Sequence, residues 1–244
     1  MQRETLEQFR ERIGGFEYHS LYLDQEGCFR TNPRLNDKVD PQGRLRAYVG
    51  NTVVFTLDGA GERGNAVRNG LRRLQDRLYA CCPDMLAERL GDETFHMTLH
   101  DLMSGPSGQV DESVLRAAGE RAEKFVEAER RALWTVRLSA TCAFNMVNTS
   151  VVLGLEPCDE DSCRRLMELY GRLEEIVPLG YPLTPHITLA YYRPGVYREA
   201  DMKRLETAFE LPEGENFAIE FTPEDLACQD FCDMNHYITR KPRV

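Results

Sequence analysis

No apolar run in this sequence approaches the ~18 residues a membrane span needs. The first fifteen residues, MQRETLEQFRERIGG, hold no apolar signal core. A cytoplasmic protein is therefore expected. Basic charge is also scarce. Lys and Arg total 30 against 40 Asp and Glu, a net charge of −10 and a pI of about 5.1. A protein that holds long nucleic acid by its backbone usually carries a basic stripe. Only short clusters occur, RLRAY at 44–48 and RKPRV at 240–244. Long polynucleotide binding is not expected, while a small anionic ligand in a local pocket stays open. Low-complexity segments and Pro/Gly/Ser linkers are absent too, which favours one continuous body.

Eight cysteines are present, at 28, 81, 82, 142, 158, 163, 228 and 232. An even count suggests a disulfide framework only in short secreted chains. In 244 residues without a secretory signal they read as reduced, mostly buried thiols. Cys228, Cys232 and His236 do not have zinc-ribbon spacing, and no metal site is assigned to them.

Hydrophobic residues make up 42% and charged residues 29%, ordinary for a globular protein. Residues 1–15 read as a short charged helix ended by Gly14-Gly15. Residues 16–49 are turn-rich, with Asn32-Pro33 and Asp40-Pro41-Gln42-Gly43, and are expected to wrap the body. A strand is expected over 51–58, then a helix with Val67, Leu71, Leu74 and Leu78 on one face and a break at Pro83. ETFHMTLHDL is the next strand. Asp111 is the expected N-cap of a helix over 112–131, followed by a strand over 134–144. The second half begins with NTSVVLGLEP. A helix with Leu166, Leu169, Leu173 and Ile176 on one face follows, then the strand YPLTPHITLAYYRPG. A helix near 199–210 and closing strands from FAIEF onward complete the chain.

The halves match. Asn51-Thr52-Val53-Val54 leads through a helix to Phe95-His96-Met97-Thr98-Leu99. Asn148-Thr149-Ser150-Val151-Val152 leads through a helix to Pro185-His186-Ile187-Thr188-Leu189. Both are strand–helix–strand units ending in His-x-Thr-Leu, the sign of a duplicated α+β unit. A single strand histidine is most often structural. Two, in matched places, point to chemistry. Period-two alternation puts His and Thr of each motif on one face. A neutral imidazole can take a proton from water or a ribose hydroxyl, while a charged one protonates the leaving oxygen. Threonine hydroxyls can donate to the non-bridging oxygens of a phosphate.

FHMTLHDL and PHITLAYY, about ninety residues apart in similar halves, resemble the motifs of the 2H phosphoesterase superfamily, the LigT-like group. Residues 1–49 lie outside that family's common core and resemble the extension of a larger bacterial and fungal subgroup. The resemblance implies an α+β fold with two pseudo-symmetric lobes around a central cleft, each an antiparallel sheet with flanking helices. It implies a catalytic set of His96, Thr98, His186 and Thr188. The expected activity is hydrolysis of a cyclic phosphate or a 2′–5′ or 3′–5′ linkage in a small nucleotide or RNA terminus, without metal or cofactor. The alternative is a nucleotide-binding module that keeps the fold and does no chemistry. The body is expected over 50–244, with lobes of 50–133 and 134–244. His100 and Tyr192, at even offsets from the motif histidines, are candidate substrate contacts, as is Arg193 just beyond. His19 and His236 stand in no motif. A monomer is compatible with this site, and the sequence is silent on oligomeric state.

Overall fold

The computed structural model describes residues 4–18, 23–57, 61–209 and 218–240; His19 lies outside them. In chain order the elements are α1 (Leu6–Tyr18), β1 (Phe29–Arg30), β2 (Tyr48–Thr56), α2 (Gly61–Cys81), β3 (His96–Pro106), α3 (Glu112–Glu129), β4 (Val136–Met146) and β5 (Ser150–Pro157). There follow α4 (Glu160–Glu174), β6 (His186–Tyr191), β7 (Val196–Tyr197), α5 (Glu199–Phe209), β8 (Ala218–Phe221), β9 (Leu226–Asp233) and β10 (His236–Thr239). Helix α1 runs through Gly14-Gly15 rather than stopping there. It buries Phe9 and Ile13 against Cys163 of α4, which outweighs the weak helix preference of two glycines. Asp111 caps α3 as expected, accepting from the Ser113 and Val114 amides.

The α+β expectation holds. The two lobes, however, share one eight-stranded antiparallel sheet, in the order β10-β9-β2-β3-β6-β5-β4-β8. Strands β3 and β6 meet at the centre through one backbone pair, Met97 opposite Ile187. Both side chains are fully buried in a hydrophobic core that spans both lobes. A division of the chain at 133/134 does not follow this sheet. Strand β9 returns to pair with β2, from Gly50↔Phe231 to Phe55↔Leu226, so the C-terminal strands extend the first lobe. Helix α2, from the first half, packs on α5 and β6 of the second.

The lobes repeat in detail. Val54 lies opposite Thr98 and Thr56 opposite His96. Val152 lies opposite Thr188 and Gly154 opposite His186. Each pairing then slips by one residue, at Leu99 in β3 and at Leu189 in β6. These are β-bulges, and each inverts the alternation beyond it. Buried Gln75 of α2 donates from Nε2 to the Leu189 carbonyl (3.0 Å) and the Leu90 carbonyl (3.1 Å), tying the helix to the β6 bulge.

Residues 23–47 pack on the body. Strand β1 pairs with β7, and Phe29, Leu35 and Val39 are buried. Asn148 Nδ2 donates to the Arg30 carbonyl (2.8 Å) and Asn32 Nδ2 to the Val147 carbonyl (3.2 Å), fixing the segment to the β4–β5 turn.

Gly50 marks one close approach. A Cβ there would lie 2.3 Å from the Phe231 ring and 2.6 Å from the Met103 carbonyl oxygen. Gly50→Ala is expected to destabilise the protein by about 1–3 kcal/mol through overpacking. A chemical denaturation midpoint unchanged from wild type would contradict this.

Candidate functional site

Both motif histidines border one cleft of about 540 Å³. Thr98 and Thr188 also line it. The two imidazoles are held alike. His96 Nδ1 donates to the Thr94 carbonyl at 2.6 Å, and His186 Nδ1 donates to the Thr184 carbonyl at 2.7 Å. A carbonyl only accepts, so the neutral ring carries its proton on Nδ1 and presents a bare Nε2. Neither Nε2 has a partner among the described residues, and neither threonine hydroxyl makes a hydrogen bond among them.

Burial pushes His96 down to about 4, against the raising effects of the Thr94 carbonyl and Asp101; the charge of His186 lowers it further. His186 is also lowered, first by burial, with Lys38 acting in the same direction and the Thr184 carbonyl and Asp101 opposing. Both rings are therefore neutral at pH 7, and a bound anion favours their charged forms.

The bulges decide which further residues reach the cleft. Five residues beyond the motif histidines, Asp101 and Tyr191 occupy equivalent places: Asp101 lies opposite Thr52, and Tyr191 opposite Ser150. Both line the cleft. Straight alternation pointed instead to His100 and Tyr192. His100 borders the cleft floor but is buried, with Nε2 on Glu174 Oε1 (3.0 Å) and its ring 5.2 Å from Tyr170. Tyr192 is fully buried away from the cleft lining, edge-on to Phe29 at 5.1 Å. Arg193 is also outside the lining; its Nε donates to the Pro41 carbonyl (3.0 Å). Tyr192 and Arg193 hold the N-terminal segment rather than a ligand. The phase slip is foreshadowed by Leu189-Ala190, two apolar residues in succession where alternation calls for one.

One wall is aromatic. Tyr237 of β10 lies edge-on to His96 at 4.9 Å, Phe231 is 5.3 Å from Tyr237, and Tyr48 stacks on Phe231 at 6.4 Å. Lys38, from the N-terminal segment, places Nζ over the Tyr48 and Tyr191 rings at 5.0 and 5.5 Å. Arg12 also lines the cleft, but its guanidinium is engaged by Glu4 and the Leu183 carbonyl. Nothing local in the sequence marks Lys38, Phe231 or Tyr237 as cleft residues. At the β9–β10 turn, Cys232, Asp233 and His236 place donor atoms within 4.8 Å of one another. There His236 Nδ1 is already hydrogen-bonded to Asp233, and Cys228 is buried elsewhere, with its thiol on the Gly119 carbonyl.

Paired antiparallel lobes, each delivering one His-x-Thr to a shared cleft, identify the architecture. The fold is the two-lobed α+β arrangement that the sequence resemblance implies. No family model matches the sequence, and no curated protein matches it. Among solved structures, the conserved protein of unknown function ATU0111 from Agrobacterium tumefaciens is similar with a TM-score of 0.61 at 17% identity, over 86% of this chain and 92% of that one. Two others overlap more loosely. E. coli LigT complexed with 3′-AMP has a TM-score of 0.49 at 15% identity, over 80% of this chain and 96% of that one. TT0787 of Thermus thermophilus has a TM-score of 0.45 at 17% identity, over 78% and 94%. At such identities the likeness is one of fold. No helix among the described residues is long and apolar enough to cross a membrane.

The histidine environment can be read directly by NMR. Both imidazoles should titrate below the ordinary value of about 6.5, and saturating phosphate should raise both. The unfolded chain takes up these protons first as pH falls, so each depressed histidine lowers stability as pH drops through 6.5, for His96 down to about 4. Titration of either ring at or above 6.5 in the free protein would contradict the described burial.

Proposed function

We propose that this protein is a metal-independent phosphodiesterase of the 2H type. Its substrate is a cyclic phosphate or a 2′–5′ or 3′–5′ linkage in a small nucleotide or RNA terminus. The fold alone does not define an activity. The reading is carried by one observation: two His-x-Thr pairs in one cleft, each imidazole tied back through Nδ1 with Nε2 left for a ligand.

The chemistry follows from those atoms. One neutral Nε2 takes a proton from water as the water oxygen bonds to phosphorus. The bond from phosphorus to the leaving ribose oxygen breaks, and the other imidazole, charged, gives that oxygen its Nε2 proton. One proton enters the pair and one leaves it, and solvent restores the starting state. Thr98 and Thr188 hydroxyls donate to the non-bridging oxygens, where negative charge must be held. In the free protein both rings are neutral, so the acid acquires its proton as the phosphate arrives. The pairing needs no Lewis acid, because imidazoles and hydroxyls supply both proton transfer and charge stabilisation. The aromatic wall of Tyr48, Phe231 and Tyr237 suits a nucleobase.

Nucleoside 2′,3′-cyclic phosphates, 3′,5′-cyclic nucleotides and 2′–5′ dinucleotides, assayed with product analysis, test this reading. Turnover of at least one class is expected, and it should survive EDTA. His96→Ala and His186→Ala should each cost about 10²–10⁴-fold, and the double variant little more than either. Thr98→Ala and Thr188→Ala should cost on the order of 10–100-fold. Binding without turnover across the panel would instead favour a nucleotide-binding module.

The pH profile provides a separate check. One ring must be neutral and the other charged, so kcat/KM should be bell-shaped. Its centre should lie on the acid side of 6.5, because both free-protein imidazoles are depressed. The kcat profile should centre at higher pH, since bound phosphate favours the charged ring. A kcat/KM optimum above pH 8 would overturn the two-imidazole scheme.

A further inference from the structure

Lys38 is the cleft cation that the two-histidine scheme does not use. It reaches the cleft from outside the duplicated unit, just after a short 3₁₀ turn, Pro33–Asp37, whose end its amide caps on the Leu35 carbonyl. Nζ sits over two aromatic rings, Tyr48 and Tyr191. Lys38 makes no ion pair among the described residues, whereas Arg12, the other cation on the cleft wall, is already engaged. Asp101 is the carboxylate whose field Lys38 feels. Burial opposes the charge of Lys38, and Tyr191, Asp101, Tyr48 and Tyr181 together outweigh that effect. An ammonium held in this way stays charged and has donors to spare.

Its position along the strands matters. Tyr191 lies three residues beyond Thr188, roughly 10 Å of strand at about 3.3 Å per residue. The reacting phosphate has its own donors in the two threonines. Between that level and Lys38 lies the aromatic wall. This places a phosphate site, a surface for a base and a second cation in sequence along one cleft.

We propose that Lys38 is a specificity-determining residue that binds a second phosphate, one nucleoside away from the reacting one. This deepens the phosphodiesterase reading and rests on it for the identity of the first phosphate. The substrate class is then a nucleoside 2′,3′-cyclic phosphate that also carries phosphate at its 5′ oxygen. That phosphate is either a terminal monoester or the next linkage of an oligonucleotide. The N-terminal segment, through Lys38, adds this selectivity to the duplicated core.

The test compares kcat/KM for three substrates: a nucleoside 2′,3′-cyclic phosphate, the same compound with a 5′-phosphate, and a dinucleotide ending in the same 2′,3′-cyclic phosphate. In the wild type, at least one of the latter two should exceed the first by tenfold or more. Which one does so identifies the source of the second phosphate. Lys38→Met keeps the aliphatic stem over the rings and should reduce that ratio to within twofold, while Lys38→Arg should retain most of it. A wild-type ratio near one, or an unchanged ratio in Lys38→Met of native melting temperature, overturns the proposal. If none of the three is hydrolysed, the 2′,3′-cyclic substrate is wrong whether or not the wider phosphodiesterase reading stands, and Lys38 is judged by binding. A nucleoside 3′,5′-bisphosphate should then bind at least tenfold more tightly than the 3′-monophosphate by calorimetry, and Lys38→Met should abolish the difference. Equal affinities in the wild type overturn the proposal by that route.

Discussion

One backbone pair, Met97 opposite Ile187, joins the two halves of the sheet, and the cleft depends on it. Each of these residues directly follows a motif histidine, so this seam sets the relation of one imidazole to the other. Two-proton chemistry at one phosphorus requires both ring nitrogens within hydrogen-bond reach of the same group, and small misplacements are costly. A seam with so few backbone bonds would be weak alone. It is held by a core that runs unbroken from lobe to lobe, and by two departures from strict duplication. Helix α2 of the first half packs against the second, and β9 returns from the second half to the first. The seam is thus bridged by elements from both halves.

The same strands set the chemistry of the rings. Each histidine stands at the start of its strand, where a carbonyl two residues back accepts from Nδ1. That bond fixes tautomer and orientation together, and the repeat delivers it twice. Burial then favours the neutral form of both rings. The pair is symmetric in backbone and hydrogen bonding, but not in surroundings. At equivalent positions beyond the bulges one lobe carries Asp101 and the other Tyr191. The Tyr237 ring lies against His96, while the charge of Lys38 acts on His186. A repeated backbone with unequal side chains can hold an unsymmetrical ligand in one direction.

Residues 23–47 act as part of the cleft wall rather than as an appendage. Phe29 against Tyr192, Pro41 on Arg193 and the bonds to the β4–β5 turn fix the segment to the second lobe. These contacts also explain why Tyr192 and Arg193, promising by their nearness to the motif, are not cleft residues. They are used to seat the strip of chain that brings Lys38.

The sequence by itself determined the α+β class, the duplication, most helix and strand positions, and the matched placing of His96, Thr98, His186 and Thr188 late in each half. Those features are local. Apolar spacing, an Asp111 cap and a repeated four-residue motif can all be read without knowing what lies opposite. The tertiary structure alone decided where alternation fails, because a bulge is a property of two strands and their register. It therefore decided that Asp101 and Tyr191 reach into the cleft beyond the threonines, that His100 borders only its floor, and that Tyr192 lies outside it. It also decided that β9 and β10 complete the first lobe and that Lys38, Phe231 and Tyr237 meet there. These residues come together from two distant stretches of chain, one around Lys38 and one the β9–β10 hairpin. No spacing within any one stretch encodes a contact that exists only after the sheet has closed around it.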